Sequence, residues 1–125
     1  MNKENQLNEM SYQIIGIGME IHRILGKGLL EVVYKDALEF EFRQMGIPFE
    51  REKKYDIVYK GHTLPHFYYA DFVVFDKIIL EVKAQNRIAE GQYACVIHYL
   101  AISGCPLGLI LNFNAASLIP KRVVF

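Results

Sequence analysis

The chain has 125 residues, 52% hydrophobic and 22% charged, which suits one domain around one core. Fourteen basic residues balance fourteen acidic ones, and that neutrality counts against high-affinity, non-specific DNA binding driven by phosphate neutralisation. Charges or turns break every apolar run below membrane-span length, the polar N-terminus lacks a signal-peptide core, and Cys95 and Cys105 have no Cys-x-x-Cys spacing, so a cytoplasmic protein without membrane contact, disulfide framework or zinc site is expected.

Residues 1–10 are expected to be a flexible, polar lead-in, and residues 11–125 a single domain. Ser11 is a plausible N-cap for a first helix in which Ile14, Ile17, Ile21, Ile24 and Leu25 follow helical spacing. Gly16 and Gly18 weaken its first half but allow close packing; no strand precedes them, so they are not a phosphate-binding loop. After Gly26-Lys-Gly28, a second helix is expected from about Leu29 to Met45, closed by Gly46 and Pro48. Its buried stripe comprises Leu30, Tyr34, Ala37, Leu38, Phe42 and Met45. Glu31 edges that stripe. With Gly28 as N-cap it sits at N3 and can bond back to the helix start, or it can aim a carboxylate into a site.

Phe49 to Val58 reads as a strand, Gly61 turns the chain, and Leu64 to Phe75 reads as the next strand, with Pro65 marking an edge or bulge. His62 and His66 near the turn read as ordinary exposed residues. From Tyr69 to Lys83 two apolar strands carry three charges, Asp71, Glu81 and Lys83. Glu81 and Lys83 share one face, and an acid and a base in a half-buried strand cost desolvation energy unless paired. Asp-(x)n-Glu-x-Lys offers two carboxylates to a hard cation and an ammonium to a water or phosphate. The hairpin geometry is restrictive. A two-residue turn at Asp76-Lys77 pairs Phe72 with Glu81 and sends Asp71 to the opposite face. A site therefore requires a three-residue loop, Asp76-Lys77-Ile78, or a bulge near Asp71. A third helix is expected from about Ala89 to Ser103, with Gln92, Val96, Tyr99 and Leu100 on one face. Leu107 to Phe113 then reads as a buried strand and Leu118 to Phe125 as a closing one.

Gly28-Leu-Leu-Glu31-Val-Val-Tyr34, Ala70-Asp71-Phe72 and Glu81-Val-Lys83 together resemble the GxxExxY protein family, a branch of the PD-(D/E)XK nuclease-like superfamily. The likeness runs from about Ile14 to Val124. The chain departs from the superfamily's name in one place: Ala70 stands where a Pro precedes the Asp. The resemblance implies an α/β (α+β) fold with a mixed central β-sheet flanked by helices, a restriction-endonuclease-like core.

It further implies a Mg²⁺- or Mn²⁺-dependent phosphodiesterase acting on nucleic acid, DNA or RNA, with a homodimer left open. Asp71, Glu81 and the backbone carbonyl of Val82 would hold the metal, and Glu31 would orient a second metal or a water on the metal. Lys83 would position the attacking water or stabilise developing charge, and Gln92 would hold Lys83 or the phosphate. Glu31 is drawn towards the site reading because the family motif is named for it. His22, Gln92 and Tyr99 also match family positions; the plain alternatives are a packed histidine, a helix-flank glutamine and a core tyrosine. A non-catalytic binding or assembly module on the same scaffold is the alternative function, favoured by neutral charge and the missing Pro and opposed by the intact charge cluster.

Overall fold

A computed structural model describes residues 2–125. Helix α1 spans Lys3–Leu25 and so begins well before Ser11. The expected lead-in is helical from Lys3 onward, while its first residue, Met1, lies outside the described residues. Asn2 is the true N-cap, its side chain accepting the Asn5 N–H at 2.8 Å. Leu7 and Met10 pack against the core and give these polar turns a reason to be helical. Ser11 is buried inside the helix, donating to the Asn8 carbonyl and accepting from Arg122, both at 2.8 Å. Gly18 permits the close approach foreseen for it, since a Cβ there would lie 3.0–3.1 Å from Leu118 and Leu111.

Helix α2 is Glu31–Gln44, starting after an extended Leu30 that gives no side-chain cap. Glu31 is thus the first helical residue rather than N3, and the capping reading fails. Tyr34, Leu38 and Phe42 are its buried residues; Leu30 and Met45 flank the helix and are exposed. Five strands follow: β1 Phe49–Tyr59, β2 His62–Val74, β3 Ile78–Lys83, β4 Leu107–Asn112 and β5 Ile119–Val123. Helix α3, Glu90–Ser103, joins β3 to β4 and ends on a left-handed Gly104. The sheet order is β1-β2-β3-β4-β5, antiparallel except for the parallel β3–β4 pair. This is the expected mixed sheet flanked by helices. Ile14, Ile17, Tyr34, Leu38 and Phe42 of α1 and α2 cover one face with Phe72, Leu80 and Val82. Val96, Tyr99 and Leu100 of α3 cover the other with Ala70, Ile79 and Ile110.

The β2–β3 connection differs from both loops considered from the sequence. Pairing of Val74 with Ile78 and Phe72 with Leu80 leaves Phe75-Asp76-Lys77 as the loop, one residue earlier than Asp76-Lys77-Ile78. Ile78 is fully buried and belongs to the strand, while Phe75 and Asp76 take left-handed φ values of 58° and 59°. The Lys77 N–H donates to the Val74 carbonyl at 3.1 Å and closes the turn. Continued by one pair, this register sets Asp71 opposite Glu81.

A second irregularity lies on the same rung. In β1, Phe49 packs on the α1–α2 side but Tyr55 on the α3 side; in β2, Phe72 packs with α1–α2 but Ala70 with α3. Residues separated by an even number along a regular strand share a face, so both strands exchange faces between these positions. Glu52, at φ 54°, lies at the exchange in β1, and Asp71 lies opposite it, between the Arg51–Phe72 and Lys53–Ala70 pairs. No residue is inserted there, so the bulge expected near Asp71 is absent; the only register shift between β1 and β2 lies at Asp56–Val58, and it is the loop beginning at Phe75 that sets Asp71 opposite Glu81.

Candidate active site

Asp71 and Glu81 meet where the β2–β3 ladder ends. The Asp71 N–H donates to Glu81 Oε2 at 2.6 Å, and the Val82 N–H donates to Asp71 Oδ2 at 2.8 Å. Each carboxylate therefore takes the place of a backbone acceptor on the opposite strand, and this holds the two acids together. Glu81 is only 6% exposed. Burial first, and the Asp71 charge second, push its carboxyl up to about 8; the Asp71 N–H and the charges of Lys83 and Lys35 oppose the rise.

Glu31 reaches the same neighbourhood from α2. Its Oε1 accepts the Ala84 N–H at 3.2 Å, immediately after Lys83. Two motif partners set that position. The Tyr34 hydroxyl donates to the Gly26 carbonyl at 2.7 Å and accepts the Leu29 N–H at 3.2 Å, clasping the loop before α2, and Gly28 takes φ +94° within that loop. Lys83 is half-buried, and its carbonyl accepts the Phe113 N–H at 2.8 Å. Gln92 sits in the first turn of α3, where its side-chain oxygen accepts the Ala89 N–H at 2.8 Å. His22 is packed: it lies against Phe113, with its ring Nε2 2.8 Å from the Ala115 carbonyl oxygen. Tyr99 is buried and donates to the Tyr69 carbonyl at 3.1 Å; His62 and His66 are exposed.

Two residues absent from the sequence reading complete the cluster. The Lys35 ammonium lies 3.0 Å from Asp71 Oδ1 and also bonds Glu52. Its side chain is 14% exposed. Burial alone lowers the Lys35 pKa, but the Glu52 and Asp71 hydrogen bonds and charges outweigh it, and the net shift is upward. Lys35 follows Glu31 by one helical turn, so the two share a face; that spacing was the available signal. Glu52 offered none, lying in the mixed-charge run Arg51-Glu-Lys-Lys54.

Among the described residues no three His, Cys, Asp or Glu side chains gather as a cation cage. Asp71 and Glu81 are brought together, whereas Glu31 is tied to the end of β3. The donor chemistry nonetheless fits a hard divalent cation: two adjacent carboxylates, one of them deeply buried, with no thiol or imidazole among them.

The sequence model of the PD-(D/E)XK nuclease superfamily matches residues 8–123, from the second turn of α1 to the end of β5. No curated protein and no solved structure gives a significant match. Five strands in mixed order with helices on both faces are consistent with a restriction-endonuclease-like fold. No described helix is long and apolar enough to cross a membrane.

Proposed function

The chain belongs to the PD-(D/E)XK nuclease superfamily, and from that membership we propose that it is a Mg²⁺- or Mn²⁺-dependent phosphodiesterase acting on nucleic acid. The carrying observation is the Asp71–Glu81 pair, locked across the open end of a ladder with Glu81 buried and its carboxyl pushed up to about 8. Packing alone gives no reason to bury Glu81 beside a second acid. A divalent cation held there would add positive charge beside the pair, polarise the scissile phosphate and acidify water.

Asp71, Glu81 and the Val82 carbonyl are the groups that hold it. Glu31, fixed at the start of α2 beside Ala84, orients the attacking water or a second cation. Lys83, on the Glu81 face of β3, stabilises the charge that develops on phosphate oxygens. Gln92 uses its oxygen to cap α3 and offers its amide NH₂ to the phosphate or to the Lys83 environment. Within the superfamily we place the chain in the GxxExxY family, because Gly28, Glu31 and Tyr34 have interlocking tasks: a left-handed turn, an anchor on Ala84 and a clasp on the loop.

One observation favours a second reading, a non-catalytic binding or assembly module: Lys35 already lies against the Asp71 carboxylate. Cleavage separates the two. Single- and double-stranded DNA and RNA are incubated with Mg²⁺, Mn²⁺ or EDTA, with Lys83→Ala and Asp71→Asn as controls. Metal-dependent products, reduced at least 100-fold by each substitution, support the nuclease. Binding without products on any of the four substrates supports the module.

A further inference from the structure

The β1–β2 hairpin runs past the helical layers as a ribbon. Every β2 residue from His62 to Tyr69 is exposed, and the hairpin closes at Lys60-Gly61, both with positive φ. Its two faces differ. Tyr68 turns towards α3, its ring 5.9 Å from that of Tyr99. Alternation turns Phe67 and Tyr69 the other way, onto the side from which Lys35 reaches Asp71. These rings are 48% and 49% exposed and meet edge-to-face at 5.5 Å. Lys54, paired with Tyr69 across the ribbon, holds its ammonium 4.3 Å from the Phe67 ring centre.

We propose that Phe67, Tyr69 and Lys54 form a stacking platform for a single nucleic-acid strand that leads into the Asp71–Glu81 site. The proposal rests on the nuclease reading for its ligand class. Tyr69 and Phe67 precede Asp71 by two and four residues, about 7 and 13 Å along an extended strand, so the platform adjoins Asp71 along β2. Half-exposed rings beside the Lys54 ammonium suit stacking of an unpaired base on either ring with a phosphate alongside, and every unpaired base presents such a face whereas a duplex hides it. On the face of Phe67 and Tyr69, Lys54 stands beside one acid, Asp56, which is paired across the ribbon with Phe67. The Lys54–Asp56 pair is 3.8 Å long with both side chains about half exposed, and such a contact gives way to a phosphate. A second copy of this chain suits the face less well, because protein interface cores are depleted in lysine.

The test is fluorescence anisotropy with a labelled 15-nucleotide single strand, its duplex and an abasic strand of equal length, all in EDTA so that nothing is cut. Wild type binds the single strand more tightly than the other two. Phe67→Ala and Tyr69→Ala each weaken that binding about 5- to 150-fold, with unchanged melting temperatures, and Phe67→Tyr restores it. Equal affinity for single strand and duplex, or no loss in either alanine variant, overturns the platform. So does a dimer in sedimentation that Phe67→Ala dissolves without affecting strand affinity. The platform and the nuclease reading fail separately. Cleavage with no dependence on the rings removes only the platform; ring-dependent binding without cleavage removes only the nuclease.

Discussion

Lys35 stands 3.0 Å from Asp71 Oδ1 and joins it to Glu52, so one helix lysine bridges the two carboxylates of the rung at which both β1 and β2 exchange faces and offsets part of their charge. It is the cation in direct contact with Asp71. Lys35→Met should destabilise the metal-free protein by about 1.5–3 kcal/mol, the range for hydrogen bonds to charged groups, which is several degrees in melting temperature. In Mn²⁺ the deficit should narrow, because the cation takes over the neutralisation. Scanning fluorimetry in EDTA and in Mn²⁺ measures both. An equal deficit in the two conditions would mean that Lys35 only fastens α2 to the sheet.

Glu81 sets a pH dependence of definite sign. Its carboxyl lies at about 8 in the folded protein, against an ordinary 4.5, chiefly through burial and then through Asp71. Between those values the folded chain holds a proton that the unfolded chain has released, so the contribution is fully present below about 4.5 and is lost as pH rises through about 8. The loss amounts to a few kcal/mol. Urea unfolding of the metal-free protein should therefore give a lower midpoint at pH 8.5 than at pH 5.5. Glu81→Gln should flatten the difference, since an amide does not titrate.

Tyr34 links the motif to the site. Its ring is fully buried and stacked on Phe113 at 4.3 Å, while its hydroxyl serves Gly26 and Leu29. Tyr34→Phe keeps the stack and removes only the clasp, at a cost of about 1–3 kcal/mol for the groups left unmatched. Glu31 lies two residues past Leu29, so its hold on the Ala84 N–H should loosen. Hydrogen exchange should show faster exchange at Ala84 in the variant and unchanged protection in β4.

Much of the scaffold was legible because its signals are local. Gly46 and Gly104 marked where α2 and α3 end, and the continuous apolar run from Leu107 marked the strand shared with β3. The start of α1 was not, since Asn2 as a cap and Leu7 and Met10 as anchors are sparse among polar residues. Asp71 and Glu81 were legible as motif acids, but their pairing depends on a loop beginning at Phe75, and phenylalanine announces no left-handed turn. Lys35 and Glu52 become neighbours only when α2 is laid on β1, a tertiary relationship that no spacing in the chain encodes.

The proposed function requires Asp71 and Glu81 to share one divalent cation, and calorimetric titration of Mn²⁺, Mg²⁺ and Zn²⁺ into wild type, Asp71→Asn and Glu81→Gln tests that directly. Hard oxygen donors should bind Mn²⁺ and Mg²⁺ in preference to Zn²⁺. Either substitution should remove the Mn²⁺ heat. Tight Zn²⁺ binding with none for Mn²⁺, or Mn²⁺ binding unchanged in both variants, would contradict the assignment.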